Sequence, residues 1–310
     1  MKRALALSLL VSFALWAEPP AAPERRNLRV PFWLNDANPE PLDKVKVAIN
    51  AKPAKLLRVL TPKEELVLLV VLDWATDLTM VDPARQEFLK QLESLPPNVH
   101  VALLRAQDGL KVLADPGTPR EDVAKLVREA AVVGRAGLLD SIEPAQMLAD
   151  AIAAKAKVRL AVLFLSDSTI TNYREDYTNP VVNSSDSGDM SRRFPEGLVQ
   201  EKIKQLMAAV LSRETPLFLV QANSQQDRVS TAYLNGLLSL ARASGGAGEL
   251  CRTTAEIPTA VARMLDSIQT LGAAEVEWQT GKSRQLQFVV AAEGRTLYHQ
   301  PRRMLKGTRP

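Results

Sequence analysis

The run from Leu66 to Leu72, LVLLVVL, is seven apolar residues in succession, without the period-two alternation of a strand that has one wet face. Such a run reads as a strand buried on both sides, the kind found in parallel sheets covered by helices. It ends in Asp73. A second run, Arg159 to Leu165 (RLAVLFL), ends in Ser166-Asp167-Ser168. Open α/β sheets place their sites in the crevice beyond the carboxyl ends of such strands, so two acids stand where a site is expected.

The rest of the chain alternates in the way such a sheet requires. Asp82-Pro83 offers an N-cap and a first-turn proline for a helix to about Ser94, with Phe88, Leu89 and Leu92 on one face. Val99 to Arg105 is a strand, turned by Asp108-Gly109 into Leu110 to Leu113 as an antiparallel edge pair. Thr118-Pro119-Arg120-Glu121 has the spacing of a capping box. Helical patterns recur over 141–155, 197–212, 228–243 and 257–271, between strands at 158–165 and 216–221. The expected class is α/β: a doubly wound, mostly parallel, Rossmann-like sheet with small β extensions at both ends. The extensions are Leu28–Leu34, Lys44–Ile49 and Leu56–Leu60 at the start, and Ala274–Gln279, Arg284–Ala291 and Thr296–His299 at the end. Neither set can bury a core alone, so they are expected to pair if the chain enters and leaves the α/β domain on the face opposite the strand carboxyl ends.

Asp73-Trp74-Ala75-Thr76-Asp77 and Ser166-Asp167-Ser168 resemble two of the motifs of the von Willebrand factor type A (VWA) domain, D-x-S-x-S after the first strand and an Asp, usually in T-D-G, after the fourth. Gly134-Arg135-Ala136-Gly137-Leu138-Leu139-Asp140-Ser141 resembles the third, a G-G-T-like loop before a helix, with Ala136 where the Thr would stand. The resemblance covers roughly 61–271. The β flanks, 28–60 and 272–310, look like those of a secreted bacterial subgroup, the VWFA-related acidobacterial domains.

In that family these motifs form a metal-ion-dependent adhesion site, where a divalent cation leaves one position for a carboxylate of the partner. The resemblance implies Asp73, Asp77 and Asp167 as metal ligands for Mg²⁺ or Ca²⁺. The pattern has departed, however: Ala75 and Ala136 replace two hydroxyl ligands and Asp77 replaces a third with a charge. Three carboxylates over-neutralise a divalent ion, so it would repel an acidic partner residue. Ca²⁺, tolerant of irregular oxygen shells, suits such a set better than Mg²⁺. The favoured reading is a degenerate, empty site. Acids gathered without a cation raise one another's pKa, and Arg135, beside the lost Thr position, is the cation expected to lie against Asp73 or Asp167.

Between Ser168 and Gly197 runs a polar segment too long for an ordinary connection. It carries Tyr173 and Tyr177, then Arg192, Arg193 and Phe194, amid Ser, Asn and Asp. Amphipathic anchors with adaptable hydrogen bonding suit recognition of a protein partner, and Arg135 would join them. The alternative is an insertion with no binding role.

Met1-Lys2-Arg3 and the apolar stretch Ala4 to Ala17 read as a signal peptide, followed by a Pro-rich linker over 18–27. Secreted or periplasmic export follows, with no other stretch able to span a bilayer. Cys251 is the only cysteine and reads as a small buried apolar residue. The net charge of +4 owes much to the end of the chain, with seven basic residues and one acid, Glu293, from Lys282 on. Such a tail attracts anionic surfaces or is simply a solvated end; without interleaved aromatics it is not a nucleic-acid site. His100 and His299 are the only histidines, no phosphate loop is present, and Gly245-Gly246-Ala247-Gly248 reads as a turn after a helix. A non-enzymatic binding protein is expected, against the alternative of a divalent-cation-dependent hydrolase or phosphotransferase using Asp73, Asp77 and Asp167.

Overall fold

The computed structural model describes residues 25–34, 44–169, 195–222, 228–279 and 284–305. Four strands come first: β1 (Arg25–Leu34), β2 (Lys46–Ile49), β3 (Lys52–Pro53) and β4 (Lys55–Leu60). Then strands and helices alternate through β5 (Leu66–Asp73), α1 (Leu78–Ser94), β6 (Val99–Arg105), β7 (Lys111–Ala114), α2 (Arg120–Glu129), α3 (Leu138–Lys155), β8 (Arg159–Ser166), α4 (Pro195–Val210), β9 (Leu217–Ala222), α5 (Arg228–Ala243), β10 (Gly248–Cys251) and α6 (Ile257–Gln269). The last strands are β11 (Gly272–Gln279), β12 (Gln285–Ala291), β13 (Leu297–His299) and β14 (Arg302–Met304).

The six strands β5 to β10 form one sheet in the order β7-β6-β5-β8-β9-β10, parallel except for the edge strand β7. Every residue of β5 is buried. Leu66, Leu68, Val70 and Leu72 pack with α1, α2 and α6, while Val67, Leu69 and Val71 pack with α3, α4 and α5. Helices on both faces are why the sequence run shows no alternation. The winding reverses between β5 and β8, so the crevice beyond their carboxyl ends is the topological switch point.

Two helix starts differ from the sequence signals. Helix α1 begins four residues before Asp82; its N-cap is Asp77, whose carboxylate accepts the Thr79 N–H at 2.9 Å. Pro83 is tolerated inside because the carbonyl it leaves unpaired belongs to the exposed first turn. In α2 the N-cap is Pro119 itself, with no side-chain cap, so Thr118 lies one place outside and the capping box does not form. Helix α5 ends as read: Gly245, at φ +88°, donates to Arg242 O and Gly246 to Ala241 O, a Schellman motif.

The flanks interleave. β1 pairs with β11 and β13, β4 with β11, and β12 with β2 and β14, giving sheets β13-β1-β11-β4 and β14-β12-β2-β3. Between them lies a third core of Leu28, Val30, Phe32, Val47, Ile49, Val276, Leu286, Phe288 and Val290. β1 opens at Arg25, inside the stretch expected to be linker, because it is paired there with Gln279. Contacts to the α/β domain fall at the amino ends of its strands: Arg29 donates to Val158 O, Trp33 Nε1 to Gly245 O at 2.8 Å, and Leu34 N–H to Thr270 Oγ1 at 3.0 Å. The sandwich therefore sits opposite the switch point. Part of the basic tail is also built in, contrary to a solvated end: Arg303 on β14 is 2% exposed, ion-pairs with Glu214 at 2.8 Å and donates to Arg29 O. Among the described residues no helix is long and apolar enough to cross a membrane.

Candidate functional site

Asp73 closes β5 and is fully buried. Its Oδ1 accepts the Gly137 N–H at 2.9 Å and its Oδ2 the Leu138 N–H at 3.2 Å, so the carboxylate lies against the amino terminus of α3. The Ser166 hydroxyl donates to Oδ2 at 3.3 Å and is linked to Ser168 Oγ at 2.8 Å, itself 3.3 Å from the Tyr233 hydroxyl. Close approach of α3 depends on Gly137, where a Cβ would lie 1.9 Å from Ala106 O. Burial pushes the Asp73 carboxyl up to about 6; the Gly137 N–H and the Ser168 hydroxyl hold it down, and the charge on Asp167 adds to the rise.

Asp167, just past β8, is 2% exposed and turns its carboxylate into the loop after β5. Oδ1 accepts the Ala75 N–H at 2.7 Å, and Oδ2 the N–H groups of Thr76 at 2.8 Å and Asp77 at 2.5 Å. Burial raises its pKa, opposed by these three donors. Two glutamines, which nothing in the sequence singled out, hold the same loops. Gln107, beyond β6, donates to Trp74 O at 2.7 Å, and Gln221 on β9 donates to Ser168 O at 2.8 Å. Both are buried. Each secures the carbonyl one residue beyond an acid, at the top of the strand next to that acid's own.

The strand order, the single antiparallel edge strand and the acids at the ends of β5 and β8 together decide the architecture. The sheet is doubly wound, mostly parallel and Rossmann-like, the class that the resemblance to von Willebrand factor A domains implies. The sequence matches no family model and no curated protein. Solved structures similar to it include proximal thread matrix protein 1 from the mussel byssus, with a zinc-occupied MIDAS motif (8% identity, TM-score 0.46, covering 76% of this chain and 50% of that one). Another is a von Willebrand factor type A structure from Catenulispora acidiphila (10% identity, TM-score 0.45, 93% and 75% covered). A third is the SpRpn10 VWA domain (13% identity, TM-score 0.36, 61% and 87% covered). The chain spans about half the length of the mussel protein.

The resemblance implies a divalent metal ion at this site. A hard divalent cation seeks six or more oxygens. Ala75 and Ala136 supply no side-chain oxygen. The oxygens of Asp73 and Asp167 already accept backbone N–H groups, and Asp77 faces away as an exposed helix cap whose pKa is lowered by the Thr79 hydroxyl and N–H. Among the described residues no group of three or more His, Cys, Asp or Glu is placed to hold a metal ion. The donor set does not fit such an ion.

The hydrogen bonds to Asp73 and Asp167 come from backbone N–H groups and the Ser166 hydroxyl, where the sequence led one to expect Arg135. It is exposed on its loop, where its N–H donates to Asp108 Oδ1 at 3.1 Å and its carbonyl accepts the Asp108 N–H at 3.2 Å. Tyr173, Tyr177, Arg192, Arg193 and Phe194 lie outside the described residues. Cys251 is 2% exposed at the end of β10, and burial pushes its thiol up to about 12.

Proposed function

We propose that this chain is an exported, non-enzymatic binding protein whose upper face recognises a protein partner without a bridging metal. One observation carries the reading: both switch-point carboxylates are satisfied by backbone donors of their own fold, Asp73 by Gly137 and Leu138, Asp167 by Ala75, Thr76 and Asp77. A nucleophile, general base or metal ligand needs a free lone pair turned towards the guest. The space lined by Trp74, Val81, Ser166 and Asp167 has no room for a water-sized molecule. What the upper face offers is exposed and chemically mixed: the Asp77 carboxylate, the 53%-exposed Leu78, the 65%-exposed Val133 and the Arg135 guanidinium. We place Arg135 with Tyr173, Tyr177, Arg192, Arg193 and Phe194 in the partner surface. Export rests on the basic start and the apolar stretch Ala4 to Ala17.

The test is thermal unfolding in EDTA against Ca²⁺, Mg²⁺ and Mn²⁺, for the wild type and Asp167→Ala. No ion should raise the midpoint. An ion bound only by the folded state at a hundredfold excess over its Kd adds about 2.7 kcal/mol, a rise on the order of 5 °C or more. A rise of that order, abolished in Asp167→Ala, would restore a metal site and with it the hydrolase or phosphotransferase reading.

A further inference from the structure

We propose that the outer face of the sheet β14-β12-β2-β3 is a docking surface for an anionic lipid membrane, separate from the upper face. The alternation along β12 defines it. Leu286, Phe288 and Val290 are buried in the sandwich, while Gln285, Gln287, Val289 and Ala291 face outward. Pairing extends the outward rows: Met304 stands opposite Gln285, Arg302 opposite Gln287, Ala48 opposite Val289 with Pro53 beyond it, and Lys46 opposite Ala291.

No acid occupies these rows. Their centre is apolar, with Val289 58% and Met304 40% exposed, and exposed Arg302 and Lys46 flank Val289 on either side. The two cations' partners, Gln287 and Ala291, stand four positions apart on β12, roughly 13 Å at strand spacing. The surroundings share the sign: of the charged residues described in 26–60 and 272–305, Arg26, Arg29, Lys44, Lys46, Lys52, Lys55, Arg58, Arg284, Arg295, Arg302 and Arg303 are basic, against Glu275, Glu277 and Glu293. Arg29, Lys44, Lys55, Arg58 and Arg303 are among those paired to acids, at 2.8 to 3.6 Å, and neither Lys46 nor Arg302 is in that set.

Charge complementarity and shape together choose the occupant. A basic rim around an apolar centre attracts anionic headgroups and sets small apolar side chains at the acyl boundary. Pleated sheet of this kind is open, where a polymer chain would favour a groove. The face belongs to the sandwich, and the sandwich sits at the end of the molecule opposite Asp73 and Asp167, so a docked chain keeps its upper face available.

The experiment is sedimentation with vesicles of equal parts phosphatidylglycerol and phosphatidylcholine, and with phosphatidylcholine alone. The chain is used from Glu18, which retains every element of the fold. Binding is expected to the anionic vesicles only, weakening with salt. Each basic residue near such a surface strengthens attraction roughly fivefold, so Lys46→Gln with Arg302→Gln should weaken binding about thirtyfold. Val289→Asp, at an exposed site, should weaken it as well. Three results would overturn the proposal: equal binding to neutral vesicles, anionic binding untouched by these variants, or self-association of the chain that Val289→Asp abolishes, which would make the face a dimer interface. Binding to free polyanions that is lost in Lys46→Gln with Arg302→Gln yet unaffected by Val289→Asp would likewise replace the membrane by a polymer.

Discussion

Asp73 should make this protein more stable in mild acid than at neutral pH. Its carboxyl ionises at about 6 in the folded chain against an ordinary value of 3.8, because burial costs the charged form more than two backbone N–H groups and a hydroxyl return. Between those values the folded state holds a proton that the unfolded state has released, so stability falls as pH rises through the interval. The stabilisation is complete below about pH 4 and lost above about pH 6, and the gap corresponds to about 3 kcal/mol. Asp167 and Asp150, also raised by burial, act in the same direction, whereas the exposed Asp77 and Glu256, both lowered, oppose it weakly. Asp73→Asn isolates the one group. Urea unfolding of wild type and variant from about pH 4 to about pH 7.5 gives two curves whose difference cancels the other acids. The variant should gain about 3 kcal/mol on the wild type across that range, with the change centred between the two pKa values. Parallel curves would refute the reasoning and mean that the N–H groups of Gly137 and Leu138 compensate the buried charge in full.

Three other outcomes follow from named contacts. Arg303→Ala removes a buried cation held by Glu214, Gln300 Oε1 and Arg29 O and should cost about 3 to 5 kcal/mol in urea unfolding, where an exposed tail residue would cost almost nothing. Gly137→Ala puts a Cβ within 1.9 Å of Ala106 O and should push α3 away from Asp73, with a loss of about 2 kcal/mol or more and weakened amide protection at Leu138. The Cys251 thiol, buried and raised to about 12, should resist thiol reagents at pH 8 in the native chain and react promptly in urea.

The central sheet was legible in the sequence because burial on both faces writes itself as an unbroken apolar run; Leu66 to Leu72 and Arg159 to Leu165 could hardly be anything else. The positions of Asp73 and Asp167 follow from the same runs. What surrounds those acids was not legible, because the groups that satisfy them are backbone N–H donors, and every residue except proline carries one. The resemblance sets the stretch Gly134 to Ser141 before a helix, but nothing in the letters Gly137 and Leu138 says that their N–H groups face Asp73. Gln107 and Gln221 are silent for a similar reason: a polar residue past a strand end reads as solvated until the neighbouring loop is placed over it. At the first turn of α1, Asp82-Pro83 is a good start signal that a better-placed cap, Asp77, pre-empts. Arg303 shows the converse, a basic residue in a basic tail whose partner Glu214 lies 89 positions away.

Alanine at 75 and 136, where the resemblance would set hydroxyls, has a physical consequence. Without hydroxyls there, Asp73 and Asp167 stand in a low-dielectric crevice, where each must be paired, hydrated or protonated. The fold meets this unevenly. Asp167 receives three N–H groups from one turn beside an exposed loop. Asp73 receives two and a long hydroxyl contact, with no exposure at all, and its carboxyl rises to about 6. The loop after β5 is thereby tied to β8 and α3 is tied to β5, which leaves no slack for an ion to close. On the proposed reading, an upper face fixed in this way selects a partner through what it exposes, Asp77, Leu78, Val133 and Arg135 among it, and not through the acids beneath.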